Sequence, residues 1–172
     1  MLNVKTEIAE LLHAEHMHTI EVLQTLEEFL ANQTVRRIPD VGEAEVHGIL
    51  DGLIVTIAAE VGRHFGFEEN HLFPVLVERG EAGIAAFLTE EHATILPLAE
   101  DLAERASKAM VEGAFTAEGW SAFHAVGREL CEREIFHIQK EEMGLLAAIA
   151  MYVDPDADRQ LAALYEKLTA EV

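Results

Sequence analysis

Apolar residues recur along this chain at helical spacing. Leu12, His16, Ile20, Leu23 and Leu30 fall on one face of a helix over about residues 4–32. Asn3 is placed to cap its start, and acid at Glu7 and Glu10 suits the positive end of a helix. Residues 33–40 read as a loop. Asp40 followed by Glu43 is a capping-box-like start for a second helix that runs to about Leu72. Pro74 marks its end or a kink, and Arg79-Gly80 closes it. A third helix spans about 82–111, with Pro97 inside it as a source of bending. Gly113 and Thr116 form the next turn and cap, and a fourth helix follows over about 117–152. Asp154-Pro155 starts a short fifth helix, about 156–170, with Leu161, Leu164 and Leu168 on one face.

No useful run alternates with a period of two, so the chain reads as all-α. The connections are short, which makes consecutive helices antiparallel neighbours. The expectation is one domain over residues 1–172, an up-down-up-down four-helix bundle (about 4–152) with a short C-terminal fifth helix. That last helix packs across the bundle or forms a homodimer contact.

The two halves echo each other. EHMHTI at 15–20 recurs loosely as EHATIL at 91–96, and HFGFEE at 64–69 as HIQKEE at 137–142. The ligand-type residues within them are offset by 76 and 73 positions, so the repeating unit is a helix pair.

This repeat carries the candidate chemistry. Residues i and i+4 share a helix face about 6 Å apart along the axis. His64 and Glu68 can therefore meet at one centre, and so can His137 and Glu141. His16 and His92 fall at core spacing on the other two helices, so all four helices send a histidine inward. Imidazole with carboxylate suits iron, manganese or zinc. Four imidazoles and two carboxylates exceed what one tetrahedral zinc needs, and they suit two metals with Glu68 and Glu141 each bridging. A lone His-x-x-x-Glu is usually a surface pair, and a lone inward histidine is usually a satisfied core residue. Two copies, each preceded by an inward histidine 48 or 45 residues earlier, are harder to explain that way.

Composition narrows the partners. There are 32 acidic against 12 basic residues, a formal charge of −20, which repels phosphate backbones and anionic membranes. Neither nucleic acid nor membrane is an expected partner. No stretch has the roughly 20 apolar residues of a bilayer span, and the start lacks a signal-peptide pattern, so the expected location is cytoplasmic. The single cysteine, Cys131, excludes an internal disulfide and reads as a small buried residue.

These segments resemble the hemerythrin-like, His-His-Glu cation-binding family over about residues 10–150. AEHMHTIEVL resembles its opening motif, HFGFEENHLFPVL its most distinctive segment, EEHATILPLAEDL its third-helix motif and HIQKEEMGLL its last. The resemblance implies His16, His64, Glu68, His92, His137 and Glu141 as ligands. It also implies an oxo- or hydroxo-bridged pair of iron ions, with manganese or zinc as substitutes. The small partner would be a diatomic gas or peroxide: the protein would bind, sense or detoxify oxygen, peroxide or nitric oxide. An enzyme of this kind would be a di-iron oxidoreductase, but no residue is marked as catalytic.

The chain departs from the family at one point. Hemerythrins use five histidines, two of them at i, i+4 on the third ligand helix, whereas Leu88 and Leu96 flank His92 here. His71, His13 or a water could fill the gap, and an open position favours redox chemistry over simple oxygen carriage. His18, His47 and His124 are not expected as ligands: helical phase turns His18 away from His16, and His47 is nearly five turns from His64. Glu69 and Glu142 turn away from the metals but could support them from outside. Two other classes remain. A ferritin-like di-iron carboxylate oxidase or iron store would use Glu68-x-x-His71 and Glu134-x-x-His137, although that pairing has an offset of 66 and leaves His16, His64 and His92 without a role. The other is a metal-free helical interaction module.

Overall fold

The computed structural model describes residues 6–56 and 61–170. Every regular element among them is helical. Helix α1 is Glu7–Asn32, α2 Ala44–Thr56, α3 Gly62–Phe67, α4 Phe73–Glu78, α5 Gly83–Glu112, α6 Ala117–Lys140, α7 Leu146–Tyr152 and α8 Pro155–Ala170. Two π-helical turns, π1 (Glu68–Leu72) and π2 (Glu141–Leu145), join α3 to α4 and α6 to α7.

Most boundaries follow the local chemistry. Gly80 takes φ +96° after α4, and Gly113 takes φ +73° after α5, conformations open to glycine at little cost. The Thr116 hydroxyl accepts the Gly119 N–H at 2.9 Å and starts α6. Asp154 Oδ1 accepts the N–H groups of Asp156 and Ala157 and starts α8, with Pro155 as its first residue. Pro97 lies inside α5, as expected.

The expected Asn3 cap lies outside the described residues. At the start of α1, Asp158 of α8 accepts the Glu7 and Ile8 N–H groups at 2.9 and 3.0 Å. Two local expectations change. Asp40 does not cap α2 directly. Its Oδ1 accepts the Gly42 N–H in a turn just ahead of that helix. Of the two readings of Pro74, the helix end is excluded: α4 runs on to Glu78, with Pro74 in its first turn directly after the π-helical irregularity π1.

The described residues form two compact units, one within residues 6–18, 63–92 and 136–170, the other within 19–56, 61–62 and 93–135. In the first, a buried core joins Ile8 and Leu12 of α1, Phe67, Leu72 and Leu76 of the α3–α4 stretch, Leu88 of α5, Ile149 of α7, and Leu161 and Tyr165 of α8. In the second, Phe29, Phe115, Trp120 and Phe123 form an aromatic group with ring centroids 5.2–5.7 Å apart. Trp120 satisfies its buried N–H on the Thr34 carbonyl at 3.2 Å. Among the described residues, no helix is long and apolar enough to cross a membrane.

Candidate metal centre

All six predicted residues lie in the first unit, and all are buried. His16 comes from α1, His64 from α3, His92 from α5 and His137 from α6. Glu68 and Glu141 open π1 and π2. In each π turn the next helix's first N–H bonds back five residues to the carbonyl of the glutamate. Such a turn inserts an extra residue into the helical phase. Both His-x-x-x-Glu motifs therefore end at the same backbone irregularity, which the side-chain pattern did not reveal.

The side chains gather in two groups that share Glu141. His16, His64, Glu68 and Glu141 form one, and His92, His137 and Glu141 the other, each with ligand atoms within 4.8 Å of one another. Glu141 turns Oε2 to His16 Nε2 at 2.9 Å and Oε1 to His137 Nε2 at 2.9 Å. Glu68 turns Oε1 to His64 Nε2 at 3.3 Å and Oε2 to His92 Nε2 at 3.4 Å. Each carboxylate thus spans both histidine pairs.

Both oxygens of Glu68, both of Glu141 and the Nε2 of His92 are buried without a hydrogen bond. They approach neighbouring polar atoms but lack hydrogen-bond geometry. Carboxylates sealed from water cost several kcal/mol unless a cation or donors compensate them. Oxygen and imidazole nitrogen atoms converging from four directions are the donor set of a cation site, and the residues fit a metal.

Outside the centre, acidic side chains meet the far ring nitrogens. The Nδ1 of His16 lies 2.6 Å from Glu142, that of His92 2.8 Å from Glu69, and that of His137 3.1 Å from Glu91. His64 Nδ1 faces the Tyr165 hydroxyl at 3.4 Å and Glu15 at 3.8 Å. Partners at Nδ1 fix each ring so that Nε2 points inward, the usual support of a metal-bound imidazole. The sequence had allowed Glu69 and Glu142 such a role but missed Glu15, Glu91 and Tyr165. For the first pair a signal existed, because a glutamate directly precedes both His16 and His92. Glu91 meets His137 of another helix and Glu15 faces His64 of another helix at longer range, and each glutamate is itself held by a cation, Lys140 and Arg63 respectively.

Electrostatics agree with this geometry. Burial alone would push His64 down, but Glu68, Glu141 and Glu15 hold it well above the ordinary histidine value. Burial is likewise outweighed at His92, where Glu141, Glu68 and Glu69 raise it to about 9. His16 is raised against burial, chiefly by Glu141. Burial would raise Glu141, yet the four surrounding imidazoles bring it well below the usual carboxylate range. Without metal, protons on the imidazoles balance the buried carboxylates.

Neither candidate for a fifth histidine is at the centre. His71 is exposed, and its ring lies 5.9 Å from that of Phe67. His13 is half-exposed and meets the second oxygen of Glu142 at 2.8 Å. The exposure of His71 also breaks the ferritin-like pair Glu68-x-x-His71. His92 is instead flanked by apolar groups: Phe65 stacks on it at 3.8 Å, Phe73 lies at 5.8 Å, and Leu88 is fully buried. His18 and His47 are exposed, and His124 bonds the Leu30 carbonyl at 3.0 Å, so all three are away from the cluster. Cys131 is buried with its sulfur 3.6 Å from the Leu23 carbonyl.

A family model described as the hemerythrin HHE cation binding domain matches residues 7–116 of the chain. That span contains His16, His64, Glu68 and His92, while His137 and Glu141 lie beyond it. No curated protein matches the chain.

Proposed function

Because the chain belongs to the hemerythrin HHE cation-binding family, we propose that it is a non-haem di-iron protein that binds, senses or detoxifies oxygen, peroxide or nitric oxide. A buried His/Glu cluster able to hold a metal is present. Support for two ions comes above all from Glu141, whose two oxygens face different histidine pairs at 2.9 Å each. His16 and His64 would hold one ion, His92 and His137 the other, with Glu68 and Glu141 shared between them. Iron bound there would supply the electrons for redox chemistry with a small oxidant.

The chain's own residues do the rest. The outer carboxylates keep Nε2 of His16, His92 and His137 turned inward, and Phe65, Phe73 and Leu88 form a dry wall beside His92. With Leu88 and Leu96 flanking His92, no fifth imidazole completes the second group, which favours reaction with an incoming small molecule over closed coordination. A four-helix up-down-up-down bundle, a single domain over residues 1–172 and a cytoplasmic setting belong to the same proposal.

Anaerobic loading with iron, followed by oxygen, peroxide and nitric oxide in turn, tests it by absorption spectroscopy. Two irons per chain and new near-ultraviolet charge-transfer bands are expected. Less than one metal per folded chain would favour the metal-free interaction module instead.

A further inference from the structure

Three of the four inward histidines have a carboxylate within 3.1 Å of Nδ1, and His64 does not. Glu15 lies 3.8 Å from it, beyond hydrogen-bond reach, with its other oxygen engaged by Arg63 at 2.9 Å. The nearer group is the Tyr165 hydroxyl at 3.4 Å. We propose that Tyr165 is a positioning residue of the metal centre, acting through His64, and that α8 is the element that delivers it.

The chemistry of the ring makes this partner consequential. His64 Nε2 faces Glu68 at 3.3 Å, so a metal bound there leaves the proton on Nδ1, which must donate. The phenol oxygen can accept that bond. It is also neutral, so the support of His64 differs in kind from that of its carboxylate-backed neighbours, and its loss bears on the His16/His64 position alone.

The placement is built, not incidental. Asp158, Leu161, Ala162 and Tyr165 form the buried stripe of α8 at i, i+3, i+4 and i+7. Asp158 at one end fastens α8 to the start of α1 through two N–H groups. Tyr165, two turns on, is 3% exposed, and its ring packs edge-on against Phe67 at 4.7 Å. No family motif marks α8, which lies outside the matched residues.

The test rests in part on the metal function proposed above, so it has one arm that needs no metal. In metal-free protein, the ring nitrogens of His64 are followed by ¹⁵N NMR in wild type, in Tyr165→Phe, and in Tyr152→Phe protein made with fluorinated tyrosine, where Tyr165 carries the one altered phenol. His64 signals should move in either altered protein, while those of His92 and His137 stay in place. In the iron-loaded arm, a chelator should strip one of two irons about tenfold faster from Tyr165→Phe, with the other unchanged. Unmoved His64 signals in both altered proteins, or equal acceleration of both irons, would overturn the proposal. Failure of wild type to hold iron would refute the metal function alone, because the NMR arm still decides whether Tyr165 positions His64.

Discussion

Glu142 Oε1 lies 2.6 Å from His16 Nδ1, although the two residues are 126 positions apart in sequence. The neighbouring Glu141 points the other way, into the centre. Adjacent glutamates thus take different tasks, one spanning the histidine pairs and one orienting a ring. Glu69 beside Glu68 does the same for His92. Loss of such an outer carboxylate typically costs 10- to 100-fold in metal affinity. Glu142→Gln should therefore weaken metal binding by about that much while leaving the helical circular dichroism unchanged. Chelator competition measures it, and an unchanged affinity would remove Glu142 from the centre's support.

Removal of a central residue should be far more severe. His64→Ala or Glu141→Ala should abolish stoichiometric metal binding, because each deletes an inward donor that faces several others. Full iron retention in both variants, read by elemental analysis, would sink the ligand assignment.

His71→Ala should keep full metal content, since that ring is exposed. His13→Ala should also retain both ions and lose at most a few-fold in affinity, because it touches only the outer oxygen of Glu142. A drop to one metal in either variant would restore that histidine as a ligand.

The metal-free protein should be most stable in mildly acidic solution. The folded value of His92 is raised from 6.5 to about 9, so its stabilising contribution is complete below about 6.5 and lost as pH rises through about 9. His16 and His64 are raised too and act in the same direction. Glu141 is lowered, so its contribution is present above about 4.5 and is lost only as pH falls through its depressed value. The melting temperature of the metal-free form should fall between about pH 6.5 and 9. Metal must displace the same protons, so apparent affinity should rise over that interval. A flat melting profile for the metal-free form would contradict the buried charge arrangement.

Burial, helped by the charge of Glu27, pushes the Cys131 thiol up to about 12. Native protein at pH 8 should react with a thiol reagent at least about tenfold more slowly than denatured protein, since only the thiolate is nucleophilic. Equal rates would show that the thiol is reached without unfolding.

Local sequence signals specify the helices and the inward-facing set. A 3.6-residue period, capping residues such as Thr116 and Asp154, and glycines at 80 and 113 are local signals, because helix formation and termination depend on neighbours a few residues away. His64 and Glu68, and His137 and Glu141, were legible for the same reason: a spacing of four puts two side chains on one face. His16 and His92 followed from their core phase and from the repeat. Tertiary structure alone decided how these residues divide the work. The π turns at Glu68 and Glu141, the crossing of Glu15 and Glu91 to histidines on other helices, the exclusion of His71 and the arrival of Tyr165 beside His64 depend on which helices meet and at what phase. That is fixed by packing between residues as much as 151 positions apart, as between Glu7 and Asp158, and local periodicity carries no trace of it.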